Sequence, residues 1–161
     1  MRIKSAAALT MVAIALSSAC AGAADWSRYG NARFNYWIDI PPGFSKVSEA
    51  DNGDGGVSVS SQGDAKLTVW GSHLTAADFG SEAKWRADQD RADGWNVTFQ
   101  KQQSKWAVWS GSKGGRIFYE RAVPVCDDAV AFFRLEYDKA LAKSFDPLIS
   151  RLGKSLRRGK C

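Results

Sequence analysis

The order of apolar and polar residues along the chain predicts mostly β-structure. Residues 34–40 have a period of two, in which Phe34, Tyr36, Ile38 and Ile40 alternate with Asn35, Trp37 and Asp39, and this is typical of a strand that buries one face. Pro41 and Pro42 end this stretch, because proline cannot donate to the hydrogen-bond ladder of a sheet. Similar stretches follow, the first two forming a predicted hairpin around 62–64. They are 57–59, 67–70, 95–99 and 129–137.

Residues 105–121 predict a second β-hairpin, whose turn is Lys113, Gly114 and Gly115. Trp106 and Val108 lie on one face of its first strand, and Trp109 lies on the other. A strand that is apolar on both faces must be covered on both sides. We therefore expect this hairpin to be the central strand pair of the sheet.

Two helices are predicted. Thr75 and Asp78 have the spacing of a capping box, and Gly94 suits the left-handed residue after a helix end near Asp93. The apolar stripe of this helix is Phe79, Ala83 and Ala87. Asp146 followed by Pro147 predicts the start of a terminal helix. Its apolar stripe is Leu148, Leu152 and Leu156.

These elements favour an α+β fold. Consecutive strands joined by short turns predict a central antiparallel sheet of about six to seven strands. Apolar residues on both faces of its central strands require helices on both faces, which makes an α/β/α sandwich.

The N-terminus has the three parts of a secretory signal peptide. Arg2 and Lys4 precede an apolar run over 6–16, and small residues follow. We predict a signal peptide over 1–23, a single α+β domain over 24–161, and a periplasmic or secreted location. No transmembrane segment is predicted, because the apolar run is too short. The alternative is a lipid anchor at Cys20, although Leu16 lies one place too far upstream for that motif.

Cys126 and Cys161 remain for the folded domain. An even pair of cysteines in an exported chain predicts a disulfide. The alternative is two unpaired thiols.

The net charge is +5 for the whole chain and +3 without Arg2 and Lys4, from 20 basic and 17 acidic side chains. This balance is too mild to indicate a nucleic-acid partner. One basic concentration lies at the C-terminus: Lys154, Arg157, Arg158 and Lys160. It fits a solvated helix end, and the alternative is attraction to an anionic membrane surface.

Asp51, Asn52 and Asp54 resemble part of a calcium loop, but the register fails. Ala50 and Ser61 occupy the first and twelfth positions, where carboxylates are needed. A turn entering a strand accounts for the same residues. We predict no metal and no cofactor, with these three residues as weak metal candidates.

His73 is the only histidine, which excludes a site with several histidine ligands. Ser110 lacks the preceding glycine of a nucleophile elbow, so a Ser-His-acid triad is not indicated. Asp127 and Asp128 are adjacent acids typical of a turn. We predict no catalytic residues.

Seven tryptophans are a high number for a chain of this length. Trp37, Trp70 and Trp109 lie on strand faces opposite the regular aliphatic residues, and Trp85 lies off the apolar stripe of its helix. They are either a second layer of the core or an exposed aromatic surface for a ligand or partner.

Several motifs together resemble one family. They are residues 31–34, 40–44, 51–55, 67–72, 109–111 and 146–149. With these motifs the chain is similar to small exported proteins of alphaproteobacteria, whose fold resembles the PsbP-like and DcrB-like α/β/α sandwiches. The resemblance covers nearly the whole mature chain and implies a binding or assembly module. It transfers no catalytic or metal-binding residue.

The sequence therefore predicts a periplasmic, non-enzymatic binding or protein-interaction module whose partner is an envelope protein or a small ligand. One alternative is an inhibitor or immunity-type protein of the envelope. The other is an envelope hydrolase that uses His73 and acidic residues.

Overall fold

A computed structural model describes residues 25–161 of the chain. The predicted signal peptide and Cys20 lie outside the described residues. The α+β class is confirmed: a seven-stranded antiparallel sheet carries a helix on each face, and a small three-stranded sheet packs beside the second helix.

The large sheet has the strand order β3-β4-β5-β9-β8-β7-β6. In chain order its strands are β3 (Ser48–Glu49), β4 (Gly55–Val59), β5 (Ala65–His73), β6 (Asn96–Gln103), β7 (Trp106–Lys113), β8 (Arg116–Pro124) and β9 (Ala129–Asp138). The small sheet has the order β1-β2-β10. Its strands are β1 (Ser27–Asn31), β2 (Tyr36–Ile40) and β10 (Arg157–Arg158). The helices are α1 (Phe79–Ala92) and α2 (Ala142–Ser155), and a 3-10 turn, Lys139–Leu141, precedes α2.

The predicted hairpin is present as β7–β8, but its predicted central position is wrong. The middle strand is β9. The connection through α1 takes the chain from β5 to β6 at the far edge of the sheet, and β7, β8 and β9 then pair in turn back towards β5. β9 then pairs with both β5 and β8 over nearly its whole length. Pairing of this kind depends on contacts between residues far apart in the chain, which alternation does not reveal.

Both predicted helix starts are wrong. α1 begins at Phe79, and Asp78 rather than Thr75 is its N-cap, accepting from the Ser81 amide at 2.7 Å. α2 begins at Ala142, so Pro147 lies inside it. The early start of α2 is stabilised by Phe145, whose ring stacks on Tyr137 of β9 with centroids 4.7 Å apart. Gly94 does follow α1 in the left-handed conformation, with φ of +85°, as predicted.

Two apolar layers cover the large sheet. The layer under α1 is small and rich in alanine and aromatic rings, with Trp109, Phe118 and Phe132 fully buried. The layer on the other face is larger and joins the large sheet to α2 and to the small sheet. The alternating residues of the first predicted strand, Tyr36 and Ile38 among them, belong to this second layer.

A disulfide joins Cys126, just after β8, to the C-terminal Cys161, with 5.5 Å between the Cα atoms. The predicted pairing is therefore present. Neither helix within residues 25–161 has the length and apolar content needed to cross a membrane.

Candidate binding cleft

A cleft of about 330 Å³ opens between α1 and the large sheet. We refer to it as the acidic cleft. Aromatic rings and charged side chains line it: Trp70, Trp85, Arg86, Gln89, Asp90, Asp93, Trp95, Glu120, Arg134 and Glu136. They come from α1, from the residue before β6 and from three strands of the large sheet, so the fold itself assembles the cleft.

Three tryptophans form the walls of the acidic cleft. Trp70 of β5 stacks on Phe132 of β9, with ring centroids 5.0 Å apart and an angle of 11° between the planes. Trp95 meets Phe118 edge to face at 5.0 Å. Trp85 projects from α1 and is 46% exposed. Two of the rings are thus held by the core, and the third is half exposed, with the Arg86 guanidinium 5.6 Å from its ring centroid.

Arg134 of β9 is the central cation at the base of the cleft. Its Nη1 donates to Asp90 at 2.7 Å and to Glu120 at 2.9 Å, and its Nε donates to Glu136 at 2.7 Å. Glu120 lies directly opposite Arg134 in the pairing of β8 with β9. The guanidinium also lies over the ring of Phe118, 3.9 Å from its centroid. One arginine therefore ties α1 to the two central strands.

Asp90 connects this ion cluster to the core. Its second carboxylate oxygen accepts from the indole Nε1 of Trp109 at 2.7 Å. Trp109 is fully buried, so this hydrogen bond satisfies its only polar group. Asp90 is thus fixed from both sides, by Arg134 and by Trp109.

Glu120 is the most deeply buried carboxyl group of the cleft, at 3% exposure. Burial raises the pKa of Glu120 to about 7, while the charge of Arg134 opposes this increase and the neighbouring Asp90 adds to it. Arg134 pairs with the group at 2.9 Å. Glu120 is therefore a charge that the fold must neutralise rather than an open acid.

A second buried ion pair closes one side of the cleft. Arg86 of α1 donates to Glu82 at 2.9 Å and lies over Phe132 at 4.2 Å from the ring centroid. The other Glu82 oxygen accepts from the Thr75 amide and hydroxyl and from the Ala76 amide at 2.8 to 3.1 Å. Burial acts to raise the pKa of Glu82, but these hydrogen bonds and the charge of Arg86 together hold it below its usual value.

Carboxylates outnumber cations in this cleft. Four acids and two arginines line it, and both arginines already pair with carboxylates. Asp93 is exposed at the rim and makes no ion pair with any described residue. It follows Trp85 and Gln89 at intervals of four residues, so the three share one side of the helix end. Aromatic faces beside an excess of carboxylates, one of which has no ion pair among the described residues, suit the binding of a cationic group.

The four tryptophans singled out in the sequence are not all at this site. Trp70 and Trp85 line the cleft, and Trp109 lies in the core beneath it. Trp37 lies on the small sheet, 43% exposed and packed over Gly30, where an added Cβ would come within 2.3 Å of the ring. The sequence did not identify Trp95 as a residue of the cleft. The only signal for it was its position directly after Gly94, which ends α1.

The residues weighed for metal binding lie in the loop before β4. Asn52 donates to Asp54 at 2.8 Å, and Arg33 forms an ion pair with Asp54 at 2.7 Å. Arg33 also donates to the Asn52 carbonyl. The loop is therefore held by an arginine, which places a positive charge where a cation would have to bind.

His73 and the paired acids lie away from the acidic cleft. His73 is exposed at the end of β5, and its ring meets Phe34 edge to face at 5.3 Å. It is not among the residues that line the acidic cleft. Asp127 and Asp128, with φ of 57° and 50°, form the turn between β8 and β9.

The chain matches no protein-family model and no curated protein. It is similar in structure to cyanobacterial PsbP (CyanoP) from Synechocystis sp. PCC 6803, with 14% identity over 89% of this chain and 98% of that one, at a TM-score of 0.60. It is also similar to the Ran-binding protein Mog1p of Saccharomyces cerevisiae, with 10% identity over 83% of this chain and 95% of that one, at a TM-score of 0.61. At these identities the likeness shows the fold alone, and that fold is PsbP-like.

Proposed function

We propose that this protein is a non-enzymatic binding module of the periplasm or the extracellular space, and that its acidic cleft holds a cationic side chain of a protein partner. The observation that carries the proposal is the exposed Trp85 beside carboxylates that exceed the cations of the cleft. A lysine or arginine side chain in the cleft would contact aromatic faces and carboxylates together.

The compartment rests on two features. Residues 1–23 have the composition of a secretory signal peptide. The disulfide between Cys126 and Cys161 fits an oxidising environment. A role in protein interaction also fits the structural likeness to a Ran-binding protein, although that partner belongs to Mog1p.

Burial favours binding over catalysis at this site. The one carboxyl group whose pKa is raised towards neutrality, Glu120, lies beneath Arg134 and is nearly inaccessible. The only candidate nucleophiles or bases that line the cleft are carboxylates, and three of the four, Asp90, Glu120 and Glu136, pair with Arg134.

The test is a calorimetric titration with a short tri-lysine peptide, and with a tri-glutamate peptide as the opposite charge. We expect binding of the lysine peptide only, and an affinity at least about tenfold lower in a Trp85→Ala, Asp93→Asn variant, since cation–π and charged contacts are both lost. The matched control is Trp37→Ala, which removes a tryptophan of similar exposure from the small sheet.

Equal affinity in the cleft variant and the wild type would contradict the proposal. Binding of the glutamate peptide at the cleft would do the same. Unfolding curves of all variants would separate lost binding from lost structure, since Trp85 and Asp93 are exposed and their replacement leaves the core intact.

A further inference from the structure

A second cleft, of about 610 Å³, lies on the opposite face, between β8 and the C-terminal tail. We refer to it as the basic cleft. None of the described residues that line it is acidic. Four are cationic: Lys105, Arg121, Arg157 and Arg158. Val123 and Leu156 contribute an apolar base.

The arginines of this cleft differ from most of those elsewhere in the described chain, Arg151 being the exception. Six described arginines each form an ion pair with a carboxylate: Arg28, Arg33, Arg86, Arg91, Arg116 and Arg134. Arg121, Arg157 and Arg158 form none with any residue of 25–161, and neither does Lys105. Unpaired cations around one concavity repel each other unless an anion neutralises them.

Arg121 is the most unusual of the four. Its Nε is buried and has no hydrogen-bond partner among the described residues. The aliphatic part of the Arg121 side chain lies beneath Gly153 of α2. A methyl group added at Gly153 would lie 3.8 Å from the Cδ of Arg121. Its guanidinium lies 5.3 Å from the ring centroid of Trp106. Packing therefore fixes this arginine at the cleft, at the cost of a buried Nε that lacks a hydrogen bond among the described residues.

The C-terminal tail is fixed in place although it is short. β10 pairs with β2, the Gly159 amide donates to the Asn35 carbonyl at 2.7 Å, and the Asn35 side chain donates to the Lys160 carbonyl at 2.7 Å. The disulfide holds the last residue. Arg157 and Arg158 are thus positioned by main-chain bonds on both sides, which reduces the entropy lost on binding a ligand.

We propose that the basic cleft is an anion site that binds a phosphate group. A phosphate ester carries between one and two negative charges near neutral pH and accepts several hydrogen bonds, which suits several unpaired cations, and arginine binds phosphate through two parallel hydrogen bonds. Val123 and Leu156 would contact the organic part of the ligand. This site is separate from the acidic cleft, so it does not depend on the proposed function.

The test is calorimetric titration of the oxidised protein with glycerol 3-phosphate, and with succinate as a dianion that carries carboxylates instead. We expect binding of the phosphate ester, with an affinity at least about tenfold lower in Arg121→Gln and in the double variant Arg157→Gln, Arg158→Gln. The matched control is Arg151→Gln, because Arg151 also lacks an ion pair but stacks on Trp26 outside the cleft.

Vesicles distinguish the two sources of such a phosphate group. If phosphatidylglycerol vesicles bind more tightly than glycerol 3-phosphate while phosphatidylcholine vesicles do not, the source is a lipid headgroup. If only the free ester binds, the source is a soluble phosphate. Either result supports the site, provided that the cleft variants lose the binding.

Three results would overturn the proposal. They are unchanged affinity in both cleft variants, equal loss in Arg151→Gln, and succinate binding as tight as that of the phosphate ester. The double variant guards against misfolding of Arg121→Gln, because Arg157 and Arg158 are exposed and their replacement leaves the packing of α2 unchanged.

Discussion

The acidic cleft under α1 and the basic cleft beside the tail differ in how their charges are satisfied. In the acidic cleft each arginine is paired, and Arg134 alone contacts three carboxylates. In the basic cleft four cations have no carboxylate partner in the described chain, and Arg121 has a buried donor without an acceptor. Charges that a fold needs are paired, because an unpaired buried charge is costly. The unpaired charges around the basic cleft are the basis of the proposed anion site.

The largest effect should come from removing the central cation of the acidic cleft. Arg134→Gln leaves Asp90, Glu120 and Glu136 without their shared partner, so we expect the free energy of unfolding to fall by about 3 to 5 kcal/mol. Urea unfolding measures it. The control is Arg28→Gln, whose exposed pair with Asp39 should contribute about 1 kcal/mol or less. If both variants lose the same free energy of unfolding, the buried cluster stabilises the fold no more than the exposed pair does.

The disulfide affects the two clefts differently. Replacing Cys126 and Cys161 by serine should lower the free energy of unfolding by about 3 to 4 kcal/mol, the value expected for a closed loop of this size. The freed tail should weaken phosphate binding at the basic cleft, while lysine-peptide binding at the acidic cleft stays the same. Thermal unfolding and both titrations measure this. Parallel loss of both affinities would contradict the separation of the two sites.

The smallest of these effects is a pH dependence specific to Glu120. Burial raises the pKa of Glu120 from 4.5 to about 7, so the folded state keeps a proton that the unfolded state releases between these values. The resulting stabilisation is complete below pH 4.5 and is lost as the pH rises through 7. It amounts to roughly 3 kcal/mol at most, from the usual conversion of a pKa shift into free energy.

The matched variant is Glu120→Gln, which cannot titrate. The difference between the unfolding free energies of wild type and variant should change across pH 4.5 to 7 and stay flat above it. A constant difference over this range would mean that Glu120 is ionised throughout, held by Arg134.

Much of the fold was predictable from the sequence. Alternation located the β7–β8 hairpin and β9, and Gly94 marked the end of α1, because these signals depend on neighbours in the chain. β1 was missed, since Ser27–Asn31 has no regular alternation and is a strand only because it pairs with β2. The predicted start of α2 failed because stacking of Phe145 on Tyr137 outweighs the signal of Asp146 and Pro147.

The sites were predictable only in part. Trp70 and Trp85 could be selected from their positions off the apolar pattern, but Glu120 and Arg134 meet because β8 pairs with β9, a register that the sequence does not display. Charged residues in the otherwise apolar strand β9 were the available signal. The basic cleft depends in the same way on the tail returning to β2, which brings Arg157 close to Arg121.

A paired NMR titration can show whether this fold carries two clefts of opposite charge preference. With ¹⁵N-labelled protein, the indole signals of Trp85 and Trp95 and the Nε signal of Arg121 report on the two clefts separately. We predict that tri-lysine peptide shifts only the two indole signals and that glycerol 3-phosphate shifts only the Arg121 signal. Both ligands perturbing the same cleft, or neither perturbing any of these signals, would contradict two separate sites.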